Sequence, residues 1–128
     1  MSMFSTAMFL ETMENLQKNL HQNSVDHGFW EEVDNTSVPT KLCLIHSEVS
    51  EALESYRKGN PPCEKTYPSS LNSEPVKLDI SSIAEEMADV VIRVMDLCEH
   101  LHIDLGRAIL AKADYNRNRP FQHGGKKC

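Results

Sequence analysis

The sequence predicts an all-α fold: a four-helix bundle-like subunit that assembles through helix packing into a homo-oligomer. Three observations predict it. Apolar residues recur at three- and four-residue intervals in four separate stretches, no stretch shows convincing strand alternation, and one of the four stretches is apolar over more than half its circumference. With 128 residues, 40% hydrophobic and 25% charged, the chain can bury one core but not two, so a single domain over 1–128 is expected.

The first helix is read over roughly residues 6 to 22, where Phe9, Met13, Leu16 and Leu20 form one stripe. Gln22 to Pro39 is polar, contains Gly28-Phe29-Trp30, and reads as a loop. A second helix follows from about Thr40 to Lys58, with Leu42, Ile45, Val49, Ala52, Leu53 and Tyr56 on one face; Gly59-Asn60-Pro61-Pro62 stops it. Residues 59 to 78 hold four of the six prolines and read as a long connection. The third helix starts near Asp79 to Ser82, where Ser82-Ile83-Ala84-Glu85 matches a capping box, and runs to about His102. Asp104 is the expected N-cap of a fourth helix, Leu105 to about Asn118, closed by Pro120 and Gly124-Gly125.

The net charge of −6 argues against sequence-independent nucleic-acid binding. From Arg107 to Cys128 there are six Lys/Arg and one acid, +5, which leaves −11 on residues 1 to 106. An acidic body with a basic C-terminal segment, including a 119–128 tail, can hold a cation and a polyanion together. No run approaches the roughly 18 apolar residues of a membrane span. The opening MSMFSTAMFL lacks a basic n-region, so a cytoplasmic location is expected. Cys43, Cys63, Cys98 and Cys128 show no zinc spacing and read as free thiols, with Cys43 and Cys98 in the core.

The second helix carries Glu48-Val49-Ser50-Glu51 and the third carries Glu86-Met87-Ala88-Asp89. Residues three apart on a helix face the same way, so each pair can present two oxygens to one ion. If the helices pack through their stripes, four carboxylates converge along the seam. Such a cluster is costly without a cation, and hard oxygen ligands in this number suit Mg²⁺, with Mn²⁺ a possible substitute. Asp89 stands inside Met87-Ala88-Asp89-Val90-Val91-Ile92, where an Asp is poorly tolerated without a role. The third helix also has a second apolar surface of Ala84, Ala88, Val91, Ile92 and Met95, which asks for a second neighbour, most easily another subunit.

At these residues the sequence resembles the MazG-like family of all-α nucleoside triphosphate pyrophosphohydrolases. The likeness rests on Lys41 to Glu54, on Glu85 to Arg93, and on Lys112-Ala113-Asp114-Tyr115-Asn116 followed by Arg119-Pro120. The order E-x-x-E, connection, E-x-x-D, K-x-x-Y-N is specific, and with Gly28-Phe29-Trp30 the likeness covers nearly the whole chain. The resemblance implies Mg²⁺-dependent cleavage of nucleoside triphosphates to the monophosphate and pyrophosphate, with nucleotide-pool cleansing or another housekeeping task as the role; the apolar breadth of the third helix adds a homodimer or homotetramer. It implies that Glu48, Glu51, Glu86 and Asp89 hold metal and carry catalysis. It also implies that Lys112, Tyr115, Asn116 and Arg119 hold phosphates, that Lys41 and Arg93 belong to the substrate site, and that Trp30 or Phe29 lies near the base. Two features depart from the pattern: a long interval of 34 residues from Ala52 to Glu85, and Arg93 where some relatives have Tyr.

Two other readings stand beside this one. Glu99-His100-Leu101-His102 matches the Glu-x-x-His of di-iron bundles once, where that fold needs it twice, and helical stripes alone also fit a non-catalytic oligomeric bundle. His46 lies between the apolar and acidic faces and reads as structural; His123 belongs to the basic tail.

Overall fold

A computed structural model of the chain describes residues 3–68, 75–77, 80–121 and 125. Its elements in order are α1 (Met3–Asp26), α2 (Ser37–Arg57), β1 (Thr66–Pro68), β2 (Pro75–Lys77), α3 (Ser82–His100) and α4 (Leu105–Arg117). The four expected helices are present. The 59–78 connection is not wholly irregular: β1 and β2 pair antiparallel, with Thr66 opposite Lys77 and Pro68 opposite Pro75. Three-residue strands are too short to show alternation in sequence, and the facing prolines, which lack N–H donors, end the ladder.

Helix ends differ from the sequence reading for local reasons. α1 continues to Asp26, so the loop shrinks to 27–36. Asp34 Oδ1 accepts from the Thr36 N–H at 2.7 Å, and the Asp34 N–H donates to Ser37 Oγ at 2.9 Å. That turn starts α2 at Ser37, and Pro39 falls in the first helical turn, where no N–H is needed. Gly59 takes φ +86°, and its N–H closes onto the Tyr56 carbonyl to end α2. Ser81, not Ser82, caps α3, accepting from the Ala84 N–H, whereas Asp104 caps α4 as expected.

α3 is the central element. α1 packs antiparallel to it: buried Gln17 donates to Glu99 at 2.9 Å and to the Ile103 carbonyl at 2.8 Å, and His21 Nδ1 lies 2.7 Å from Asp96. α2 lies against α3 on another side, and α4 packs on α1, where Gly106 sits so close that a Cβ would come 3.0 Å from Met13 Cβ. Among the described residues the buried hydrophobic ones are Ala52, Cys63, Met95 and Leu97.

The rotation of α2 corrects the expected packing. Leu42, Val49, Leu53 and Tyr56 are exposed, and the face turned to α3 is that of Glu48 and Ala52. On α3, Met87, Val91 and Ile92 are exposed, as is Leu101 just past its end, while Met95 from the second apolar surface is fully buried. Leu16 on α1 is also exposed. Cys43 lies at the surface rather than in the core; Cys63 is the buried thiol, and Cys98 is half-buried with burial pushing its pKa up. Cys128, His123 and most of the basic tail lie outside the described residues.

No helix of the described residues is long and apolar enough to cross a membrane.

Candidate functional site

The packing of α2 on α3 brings Glu48, Glu51 and Glu86 together, each with a carboxylate oxygen within 4.8 Å of the others. Helical spacing aligns Glu48 with Glu51, and the seam brings Glu86 opposite. Glu48 is 7% exposed, Glu86 half-buried and Glu51 open to solvent. Asp89, one turn after Glu86 and half-buried, feels the Glu48 charge but stands outside the trio.

Electrostatics divide these acids. Burial pushes Glu48 up, but hydrogen bonds from Arg93 and Glu51 more than offset it and hold the carboxyl below its ordinary range. Glu51 is raised, because it shares a hydrogen bond with Glu48 and feels the charges of Glu48 and Glu86. Burial raises Glu86, with the charges of Asp89 and Glu48 adding to it. Burial also raises Asp89, helped by the Glu48 charge. Burial and mutual repulsion together therefore push Glu51, Glu86 and Asp89 toward the protonated form, with Arg93 and Lys65 only partly opposing it. The donor set is carboxylate oxygen only: the Cys63 thiol donates to Glu85, which also pairs with Lys65, so sulfur does not enter the trio. Those donors fit a hard divalent ion such as Mg²⁺ or Mn²⁺.

Arg93, one turn beyond Asp89 on α3, donates from Nε to Glu48 Oε1 at 2.6 Å. It also lines a cavity of about 190 Å³ between α1, α2 and α3, with Leu20, Asn23, Ser24, Phe29, Lys41, Ile92 and Asp96, whose carboxylate is already bonded by Ser24, Trp30 and His21. Lys41 Nζ donates to the Phe29 carbonyl at 3.0 Å and lies 4.5 Å from the centre of the Trp30 ring. The two aromatics have separate fates. Trp30 donates to Asp96 and stacks on His100 at 4.1 Å, whereas Phe29 is 66% exposed at the cavity mouth. Trp30 is thus a packed, hydrogen-bonded group, and Phe29 is the more exposed aromatic, with Lys41 Nζ 5.6 Å over its ring.

The basic motif is not brought to the acids within this chain. Lys112 lies 4.7 Å from the Tyr115 ring centre and Arg119 lies 5.8 Å from it, so these side chains gather on one another; Asn116 is exposed beside them. Their helix packs on α1, not on the α2–α3 pair that carries the carboxylates. It departs from the far end of α3, and the 14 residues from Glu86 to His100 put that end about 21 Å along the axis.

Sequence reading missed a buried polar cluster around Asp96, which is 8% exposed and accepts from Ser24 at 2.9 Å and Trp30 at 2.9 Å, with His21 Nδ1 at 2.7 Å. The only signal was an acid in the wedge between two apolar faces of α3. Glu99 and His100, which suggested a di-iron pattern, are engaged by Gln17 and Trp30, and His46 is exposed rather than packed.

No protein-family model matches the chain, and no curated protein and no solved structure matches it.

Proposed function

We propose that this chain is a Mg²⁺-dependent nucleoside triphosphate pyrophosphohydrolase of MazG-like type, releasing a nucleoside monophosphate and pyrophosphate. The observation that carries the reading is the convergence of Glu48, Glu51 and Glu86 in the α2–α3 seam, with Asp89 beside them. Glu48, Glu51 and Glu86 would hold the metal, and Asp89 would complete its surroundings. A divalent ion held there supplies charge neutralisation and polarises the phosphorus under attack. Glu51, the solvent-facing member, orients the attacking water and takes its proton. The cavity beside Arg93 accommodates the nucleoside, with Phe29 offering its exposed ring to the base.

The working unit in this reading is a homo-oligomer, a dimer or tetramer. The apolar surface left open on α2 and α3, including Val49, Leu53, Tyr56, Met87 and Val91, is where a second copy packs. Because α4 stands away from its own α2–α3 seam, Lys112, Tyr115, Asn116 and Arg119 serve the phosphates of a neighbouring subunit's site.

The test is a panel of canonical and modified nucleoside triphosphates assayed with Mg²⁺ for pyrophosphate release. Monophosphate and pyrophosphate in equal amounts are expected; diphosphate and inorganic phosphate as primary products, or no metal-stimulated turnover at all, count against the reading.

A further inference from the structure

Arg93 belongs to two places at once. Its Nε is bonded to Glu48 Oε1 at 2.6 Å, while its side chain, 38% exposed, borders the cavity lined by Asn23, Phe29, Lys41 and Asp96, the last engaged by Ser24, Trp30 and His21. Glu48 is the most deeply placed carboxylate of the trio, and a buried carboxylate demands a counter-charge. Arg93 provides it. A divalent ion on the same carboxylate would stand within a few ångströms of the guanidinium, and two cations that close on one anion repel. Lys65 offers a natural comparison: it is paired with Glu85 and acts on Glu86 and Asp89 through its charge, so it influences the same acids from another side.

We propose that Arg93 is a displaceable counter-ion: it holds Glu48 until a divalent cation takes that carboxylate, and the freed guanidinium then turns into the adjoining cavity to receive the negative charge of the nucleotide. The inference rests on the reading of Glu48, Glu51 and Glu86 as a metal site. It makes Arg93 a nucleotide-binding residue that also orders binding, metal first and nucleotide second. Before the metal arrives, Glu48 carries a built-in partner; afterwards, the cavity gains a cation for its anionic ligand.

Calorimetric titration with Mg²⁺ alone tests the first half on wild type, Arg93→Gln and Lys65→Gln. Removing a direct competitor should tighten Mg²⁺ binding by about tenfold in Arg93→Gln, whereas removing a through-space charge in Lys65→Gln should tighten it by less than about threefold. NMR of the wild-type Arg93 Nε–H gives the direct readout and does not depend on any variant folding. Its signal should start as a hydrogen-bonded resonance and move toward the free value as Mg²⁺ is added, then shift again when a non-hydrolysable nucleoside triphosphate follows. An Arg93→Gln chain that binds Mg²⁺ no better than wild type, or no better than Lys65→Gln, overturns the proposal, as does an Nε–H resonance that Mg²⁺ leaves in place. These failures spare the metal site. If wild type itself binds no Mg²⁺, the metal-site reading falls as well.

Discussion

Trp30 donates its indole N–H to Asp96 across 2.9 Å, and this bond ties the 27–36 loop to α3 about one turn from its C-terminal end. Asp96 also accepts from Ser24 and pairs with His21, both on α1, so one buried carboxylate fastens two segments to the central helix.

Replacing that carboxylate should cost more than any single bond. Asp96→Asn keeps the shape but turns an amide NH₂ toward donors, leaving at least one buried N–H or O–H unpaired. A loss of about 2–3 kcal/mol in urea unfolding is expected. Trp30 is the single tryptophan, so its emission should shift to the red in the folded variant as the ring loosens from His100. Wild-type stability and an unchanged spectrum would show that the cluster does not hold the loop.

The helices were legible because their stripes and stop signals are local: Gly59 at the end of α2 and Asp104 at the head of α4 act through neighbours a few residues away. The acid pairs were legible for the same reason, since three-residue spacing alone aligns Glu48 with Glu51. What could not be read was rotation. Sequence places the widest apolar stripe of α2 inward, yet α3 receives Glu48 and Ala52 and leaves Val49 and Leu53 outside. A stripe records how much apolar surface a helix must bury, not whether its own chain or another buries it. Likewise, no local pattern pairs Arg93 with Glu48 or joins Trp30 to Asp96, because these partners lie 45 and 66 residues apart.

Metal-free stability should depend on pH in a direction set by the trio. Glu51, Glu86 and Asp89 are raised in the folded state, so the fold binds protons more readily than the unfolded chain. Their contribution therefore improves as pH falls from neutrality through their raised values and toward the ordinary carboxylate range. Glu48 is lowered, so its stabilising contribution persists there and is lost only as pH falls further, through its own depressed value. Without metal, melting temperature should rise as pH is lowered from neutrality through the raised values of Glu51, Glu86 and Asp89; saturating Mg²⁺ should stabilise most at neutral pH, where it meets fewest competing protons. A melting temperature that falls steadily over this range, with or without Mg²⁺, would mean the acids do not repel.

Glu86→Gln separates ligand from bystander. Removing one charge relieves the repulsion that raises Glu51, so the metal-free variant should melt no lower than wild type. The Mg²⁺-induced rise in melting temperature should disappear, and turnover should drop on the order of a hundredfold with the loss of a metal ligand. Asp89→Asn, outside the trio, should retain a weakened Mg²⁺ response. Retention of the full response in Glu86→Gln would remove it from the ligand set.

Val49→Glu addresses the open face of α2. Val49 is 50% exposed and lies outside the buried set of the described residues, so the variant should fold. A charge on an apolar contact between copies should nevertheless drive dissociation toward 14.5 kDa in sedimentation at micromolar concentration. Oligomers that survive Val49→Glu and the companion Leu53→Glu would place the contact elsewhere.

Subunit mixing tests the separation of α4 from the acids most directly. Glu51→Gln removes a carboxylate from the seam, and Lys112→Ala removes a phosphate-holding cation from a helix that packs on α1. Each variant alone should lose most activity, on the order of a hundredfold for Glu51→Gln and about tenfold or more in catalytic efficiency for Lys112→Ala. If one subunit's Lys112 serves another subunit's carboxylates, a mixed oligomer contains some sites in which an intact acid trio meets an intact lysine. Co-refolding the two variants should then restore activity well above the sum of the separate proteins, toward a quarter or so of wild type for random pairing in a dimer. If both groups act within one chain, every site in the mixture carries one lesion or the other and mixing restores nothing. The recovered activity therefore reports whether the basic helix works on its own seam or on its neighbour's.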